Sequence, residues 1–556
     1  MIFLDWELME ARGRRKGCEG MKNIGLIVNS LRGGGAERCA AELSIFFSRR
    51  GYQVYILTDV SAVQYEYSGI LVNFISNLAA DGSDSFQNPL VKKVNELKEI
   101  KSKYHIDIAI SFMQLENYIN ILSKENEKII LTTHSVTSEY LKAKKGNSVQ
   151  WSEIVFRELY QYADVITCPS EYCRKDWIAH YGDEKHITRT VYNPVHFMNV
   201  EENTDKQNII ITIGRMHAIK RQWHIIRAFK QVKEKCPDSR LIILGEGELR
   251  NHLEALVAEL ELEDCVEMPG NVNNVQDYLK LAKVFTITSG CEAMPCAVLE
   301  AMSAGVPVVA CDIPGGIREE LEIADFMENE KYPVRGKCGV ITPCMKENEE
   351  AAYIYEEQCL ADEIVNLLEN EEIRKQMGYN AKERTDLFTL DKIGAVWVDD
   401  IFVNCFNREI DKESFWKIRD KNLEEYSKRL GANQEMHVSY HRLLEKWMVL
   451  REQGENLPSV LENRNLKNII IYGLGKMAKH LLYDLKNSNI NIVCAIDKAA
   501  INKYGDFPII SGEETIPEAD CIIVTPVYEF ESIKDMLEKR TVVPIISLKD
   551  IIEECR

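Results

Sequence analysis

Short apolar, β-favouring runs alternate along this chain with stretches whose apolar residues recur at helical spacing, and they do so in three blocks. In the first block, runs at 23–29, 54–57, 72–75, 106–111, 128–133 and 165–168 read as strands, with helical patterns between them, for example at 90–103 and 151–162. In the second, strands are expected at 208–213, 241–244, 284–288 and 308–311, and helices over about 222–235, 297–304 and 362–384. The third is shorter, with a strand at 466–472, a helix to about residue 485 and a strand at 490–496, and it has room for about four strands. Such alternation predicts α/β domains with parallel sheets covered by helices on both faces. Ligands of such sheets bind beyond the carboxyl ends of the strands.

At 556 residues the chain is long enough for three to four domains of roughly 150 residues each. The expected division is a domain at 21–195, a second at 196–407, a charged helical connector at 408–465 and a small domain at 466–556. Residues 196–207 read as a hinge, and the segment 388–406 is expected to cross back onto the first domain. Residues 1–20 carry charges throughout and lack an apolar h-region, so they read as a leader outside the fold and not as a signal peptide; Met21 opens a natural-looking start. There is no run of 18 apolar residues, so no membrane-spanning helix is expected, and a cytoplasmic location follows. A net charge of −19 argues against nucleic acid as a partner. The sixteen cysteines are scattered without CxxC pairs and read as reduced thiols.

Chemistry concentrates at loops that follow strands. After the 284–288 strand come Glu292 and, inside the next helix, Glu300, with Pro295 near the helix start. Proline suits a first helical position, and the N–H groups exposed there form an anion site. Two carboxylates flanking that site suit a ligand with phosphates between two hydroxyl-rich ends, the shape of a nucleotide sugar. After the 208–213 strand, Gly214-Arg215 and Lys220 place two cations at a strand's carboxyl end, one able to grip phosphate with a fork and the other a compact charge. After the first strand, Gly33-Gly34-Gly35 lets backbone approach a ligand closely. His134 follows the 128–133 strand, and Lys142, Lys144 and Lys145 cluster beyond it, where they could meet an acidic membrane surface or a pyrophosphate-bearing acceptor.

Together, Glu292-x7-Glu300, Gly214-Arg215-x4-Lys220, and Gly34-Gly35 followed by Ala36-Glu37-Arg38 resemble the motifs of retaining GT-B glycosyltransferases of family 4, the group 1 transferases. The resemblance covers roughly residues 21–407, with the motifs in the family's order. It implies two Rossmann-like parallel-sheet domains facing a cleft. It assigns Glu300 to the nucleotide ribose and Glu292 to the donor sugar, with the loop and helix start Ala293, Met294, Pro295, Cys296, Ala297 and Val298 lining the donor. Arg215 and Lys220 would neutralise the leaving diphosphate, Gly34 and Gly35 would face it, Gly214 and Gly270 would border the nucleotide, and His134 would reach donor sugar or acceptor. One departure is Ala293, where the family usually has glycine, which narrows the backbone conformations open to the loop. Implied partners are an NDP-sugar, expected to be UDP-linked, and a glycan or lipid-linked acceptor in cell-surface polysaccharide or glycolipid assembly, met at most by peripheral membrane contact. No cofactor is required. Because no Asp-x-Asp stands at a strand end, metal independence is expected.

Beyond residue 408 the resemblance stops. Gly473-Leu474-Gly475-Lys476-Met477-Ala478, with Asp497 ending the next strand, fits the G-x-G-x-x-A form of the dinucleotide fingerprint. This unit resembles small Rossmann-like domains appended to sugar-modifying enzymes, and a nucleotide is a candidate ligand there. No Tyr-x3-Lys of the short-chain reductases accompanies it. Two other readings stay open: a non-catalytic nucleotide-sugar-binding or scaffold protein, and an NAD-dependent sugar-modifying activity in the last domain.

Overall fold

The computed structural model describes residues 22–60, 62–74, 89–143, 156–195, 206–325, 330–347, 354–452, 457–486, 488–497, 507–511, 514–527 and 529–554. The leader at 1–20, Lys144, Lys145 and most of the 196–207 hinge lie outside them. The chain divides into two compact units, one running to Leu423 and the other from Glu424. The division falls within a single helix, Lys412–Glu452, inside the charged connector.

The first unit contains two seven-stranded sheets. Strands β1 (Asn23–Val28), β2 (Gln53–Thr58), β3 (Ile70–Asn73), β4 (Ile108–Phe112), β5 (Lys128–Thr132), β6 (Val165–Cys168) and β7 (Thr188–Thr190) form one, in the order β3-β2-β1-β4-β5-β6-β7. All its pairings are parallel, from Asn23 opposite Gln53 to Ile166 opposite Thr188. The second sheet uses β8 (Gln207–Ile213), β9 (Arg240–Leu244), β10 (Val266–Gly270), β11 (Ala282–Ile287), β12 (Val308–Cys311), β13 (Val334–Arg335) and β14 (Gly339–Thr342), in the order β10-β9-β8-β11-β12-β14-β13. Its edge strand β13 runs antiparallel to β14, which the alternation of the sequence did not suggest.

The strands are apolar almost throughout because both sheet faces are covered. Leu26, Ile110, Ile211, Leu241 and Val309 are wholly buried. The helical stretch expected at 362–384 is two helices, Tyr355–Glu369 and Glu371–Thr385, interrupted at Asn370. Beyond them, Ile393, Trp397, Ile401, Phe402 and Cys405 join the core formed by β1, β2 and the helix Gly35–Arg49, so the end of this unit packs against its first sheet. Phe47 and Phe402 lie with ring centroids 5.3 Å apart in that contact. The described cysteines are free thiols, most of them buried.

The second unit holds a five-stranded sheet, one strand more than its length suggested: β15 (Asn468–Tyr472), β16 (Asn491–Ile496), β17 (Ile509–Ile510), β18 (Cys521–Val524) and β19 (Ile545–Ser547), ordered β17-β16-β15-β18-β19 and parallel throughout. The chain reverses direction across the sheet between β15 and β18, the position at which doubly wound sheets take ligands. No helix among the described residues is long and apolar enough to cross a membrane.

Candidate active site

The loop after β11 and the loop after β8 are stitched together by backbone hydrogen bonds. The Gly290 N–H donates to Ile219 O at 2.7 Å, and the Thr288 hydroxyl donates to Arg221 O at 2.9 Å. These bonds bring the two sequence motifs into one place. Lys220, closing the short turn Ala218–Lys220, forms an ion pair with Glu292, and the Ser289 hydroxyl donates to the same carboxylate oxygen at 2.6 Å. Glu292 is held from behind, where it forms a β-bridge with Gly315 and its N–H donates to Pro314 O at 3.1 Å.

Pro295 is the N-cap of the helix Cys296–Ser303, which lies within one residue of its expected bounds. Its first-turn amides lack intrahelical acceptors by geometry. Glu300 lies one turn inside, only 5% exposed, and accepts an ion pair from Arg38 in the first turn of the helix Gly35–Arg49. Burial, and then the Glu300 carboxylate, push the Cys296 thiol up to about 12, so it stays protonated. Ala297 is half-buried against the second sheet's core and Val298 is fully buried within it. Ala293 takes no positive φ, so alanine stands where the family has glycine without backbone strain. Its carbonyl accepts the Gly316 N–H at 2.9 Å, and the Met294 carbonyl accepts from the Asn193 side-chain amide at 3.3 Å.

Three glycine positions are imposed by packing. A Cβ on Gly245 would stand 2.2 Å from Gly214 O, and on Gly247 it would stand 2.2 Å from Met216 O, so the β8 and β9 loops touch backbone to backbone. Gly270 has φ +84, and its carbonyl accepts the Gly245 N–H at 2.9 Å. In the first loop the left-handed residue is Gly33, with φ +90, whereas Gly34 is an extended N-cap. Gly35 packs closely on the donor-side helix, where a Cβ would lie 3.2 Å from Cys296 Sγ. Arg215 is solvent-exposed. Its charge acts on Glu37, whose carboxyl burial holds above its usual range despite Arg215.

His134 is placed in a different pocket. Its ring stacks on Phe112, with centroids 5.7 Å apart, and lines a narrow space of about 10 Å³ with Thr133, Cys39, Asn193 and Trp397. Among the described residues its Nε2 has no hydrogen-bond partner, and burial pulls the imidazole down to about 4, leaving it neutral at physiological pH. Lys142, of the basic cluster, is ion-paired with Glu139 at 2.6 Å.

In the second unit, Gly473 has φ +83 and packs where a Cβ would lie 2.8 Å from Pro526, while nothing stands within 4 Å of the Cβ position of Gly475, the N-cap of the helix Lys476–Leu485. Ala478 is fully buried. Asp497, read from sequence as a ribose ligand, accepts the Leu474 N–H at 2.6 Å, so its carboxylate braces the glycine loop itself.

Two residues of the site were missed from sequence. Arg38 was visible only as the end of the Gly-Gly-x-Glu-Arg motif. Glu319 gave no signal beyond its place after Gly315-Gly316; it accepts the backbone N–H groups of Glu171 and Tyr172 at 2.9 and 2.8 Å and the Tyr192 hydroxyl at 3.2 Å.

Comparison with known proteins gives this arrangement its class. The family model for glycosyl transferases group 1 matches residues 196–384, and that for glycosyltransferase family 4 matches residues 33–197. An uncharacterised glycosyltransferase of Methanocaldococcus jannaschii is 32% identical over 333 residues, 55% of this chain and 80% of its own. The chain belongs to the group 1 glycosyltransferases. The N-acetylgalactosamine-N,N'-diacetylbacillosaminyl-diphospho-undecaprenol 4-alpha-N-acetylgalactosaminyltransferase of Campylobacter jejuni is 24% identical over 67% of this chain and 97% of its own. Among solved structures, a mutant of S. aureus TarM, in complex with fondaparinux, alpha-GlcNAc-glycerol and UDP, superposes with a TM-score of 0.54 at 17% identity, covering 70% of this chain and all of that one. Anabaena HepE in complex with UDP-glucose gives 0.53 at 16%, covering 68% and 99%. The first unit therefore has the GT-B fold. Residues 465–544 match a separate family model described as C2185-like, N-terminal.

Proposed function

We propose that this protein is a retaining glycosyltransferase that moves a sugar from an NDP-sugar, UDP-linked, to a glycan or lipid-linked glycan acceptor in cell-surface polysaccharide or glycolipid synthesis. The observation that carries the reading is the meeting of Lys220, Glu292 and Ser289 beside the start of the helix that bears Glu300. Cations and helix amides stand where a diphosphate would develop charge on leaving, and preorganised groups of that kind are a major source of transition-state stabilisation. Glu292 and Glu300 flank that position as acceptors for sugar and ribose hydroxyls. Arg215 and Lys220 supply the positive charge that a metal–carboxylate grip supplies elsewhere, so the transfer is metal-independent. Retention follows from attack on the face the diphosphate leaves, with a leaving phosphate oxygen taking the acceptor proton, and needs no carboxylate nucleophile. The UDP and UDP-glucose named with HepE, the UDP named with TarM, and the diphospho-undecaprenol acceptor named for the Campylobacter relative all support this reading.

The test is a thermal-shift and hydrolysis screen of the full chain against UDP-, GDP-, ADP- and TDP-sugars, with and without EDTA. Selective stabilisation by one series, insensitive to EDTA and lost in Glu300→Ala and Lys220→Ala, is the expected result. A shift with NAD or NADP and none with any nucleotide sugar would move the function to the second unit.

A further inference from the structure

Two cations of the site are paired with its two carboxylates in this structure. Lys220 sits on Glu292 and Arg38 sits on Glu300, so each of these two cations covers a carboxylate meant for hydroxyls. Arg38 occupies a built socket. Its guanidinium lies 5.8 Å from the ring centroid of Tyr65, and Glu42 and Cys296 stand nearby. Burial works against its charge, yet the negative groups around it, the Glu300 carboxylate foremost, outweigh it and hold the guanidinium above its usual range.

We infer that Arg38 is a third cation for the donor diphosphate, and that it and the nucleotide ribose exclude each other at Glu300. This rests on the donor-site reading above. A ribose diol needs both oxygens of a carboxylate, and Glu300 is too buried to serve a diol and a guanidinium together. A ribose that engages Glu300 therefore expels Arg38. The released guanidinium stands beside Cys296, the first residue of the helix whose amides face the phosphates. Its planar fork suits bidentate phosphate binding, which the Lys220 ammonium cannot supply. The two ion pairs exchange partners on binding: hydroxyls take the carboxylates and phosphates take the cations.

The exchange makes recognition cooperative. An NDP-sugar satisfies both carboxylates and all the cations. Phosphate or pyrophosphate alone must break the ion pairs and strip the buried Glu300 carboxylate of its guanidinium, a costly outcome. The site thus rejects the abundant inorganic anions that share the donor's charge. Because the ribose is what releases Arg38, a nucleoside diphosphate also binds more tightly than the sum of its parts.

Calorimetric titration of the full-length protein with inorganic pyrophosphate, and separately with UDP, GDP, ADP and dTDP, tests this. Glu300→Gln frees Arg38 and is expected to tighten pyrophosphate by about tenfold, the size of one charge-assisted contact. The gain disappears in the double variant Arg38→Met/Glu300→Gln. Arg38→Met alone uncovers Glu300 and is expected to tighten free nucleosides carrying a ribose 2′-hydroxyl, with 2′-deoxynucleosides gaining less. Pyrophosphate binding that is unchanged, weaker or undetectable in Glu300→Gln overturns the proposal, as does unchanged or weakened nucleoside binding in Arg38→Met. Failure of every nucleoside diphosphate to bind the unaltered protein would instead sink the donor-site reading, whatever pyrophosphate does.

Discussion

Glu319 accepts the backbone N–H of Glu171 at 2.9 Å across the cleft between the two sheets of the first unit. The helix Glu171–Tyr181 has its own N-cap, since the Ser170 hydroxyl accepts the Cys173 N–H at 3.1 Å, but the first two amides would be unpaired without Glu319. A carboxylate from one half of the unit caps a helix of the other, where the helix dipole favours it. Glu319→Ala is expected to cost about 1–2 kcal/mol of stability. Glu319→Gln, which keeps an acceptor oxygen, should cost less, and a comparison of melting temperatures checks the order.

Lys220→Ala removes the cation paired with Glu292, which the proposed function assigns to the leaving diphosphate. A fall in kcat of roughly 100- to 1,000-fold is expected, the size of one lost preorganised electrostatic contact. Lys220→Arg should recover part of it, as steady-state transfer or donor hydrolysis rates would show.

His134 gives a pH dependence whose sign is fixed by its burial. The folded protein holds the imidazole near 4, against an ordinary value of 6.5. The unfolded chain therefore takes up the proton first as pH falls. Stability is lost from about pH 6.5 down towards pH 4, by up to roughly 3 kcal/mol, and is unaffected above that window. Melting curves of the protein and of His134→Asn between pH 4 and pH 8 should converge at low pH and separate above it.

Gly245→Ala puts a Cβ at φ +133 and 2.2 Å from Gly214 O. The β9 loop and the Gly214-Arg215 loop must then separate. A cost of about 2–3 kcal/mol is expected. Because Arg215 moves with Gly214, the Michaelis constant for the donor should rise as well, which distinguishes this variant from a merely destabilised one.

Asp497→Ala removes the acceptor of the Leu474 N–H and should lower the melting temperature of the second unit by the equivalent of about 1–2 kcal/mol. Chemical-shift or proteolysis monitoring of residues 466–497 would locate the loss. Donor hydrolysis by the first unit is expected to be unchanged.

Much of this protein was legible in the order of its residues. Strand positions followed from apolar runs, because strands buried on both faces admit little else. The helix Gln222–Lys235 kept its expected bounds, with Lys233 and Lys235 in its last turn. Glu292, Glu300, Arg215 and Lys220 could be named because each stands in a short motif beside a strand end. What the sequence left undecided depends on distance through space. The positive φ at Gly33 and not at Gly34 or Gly35, the antiparallel edge strand β13, the fifth strand of the second unit and the commitment of Asp497 to Leu474 are set by neighbours far away in the chain. The pairing of Arg38 with Glu300, 262 positions apart, is the clearest case. Periodicity and turn chemistry act over a few residues and can be read along the chain. Which charge meets which depends on how two sheets, each folded from its own stretch, present their loops to one another, and only the tertiary structure decides that.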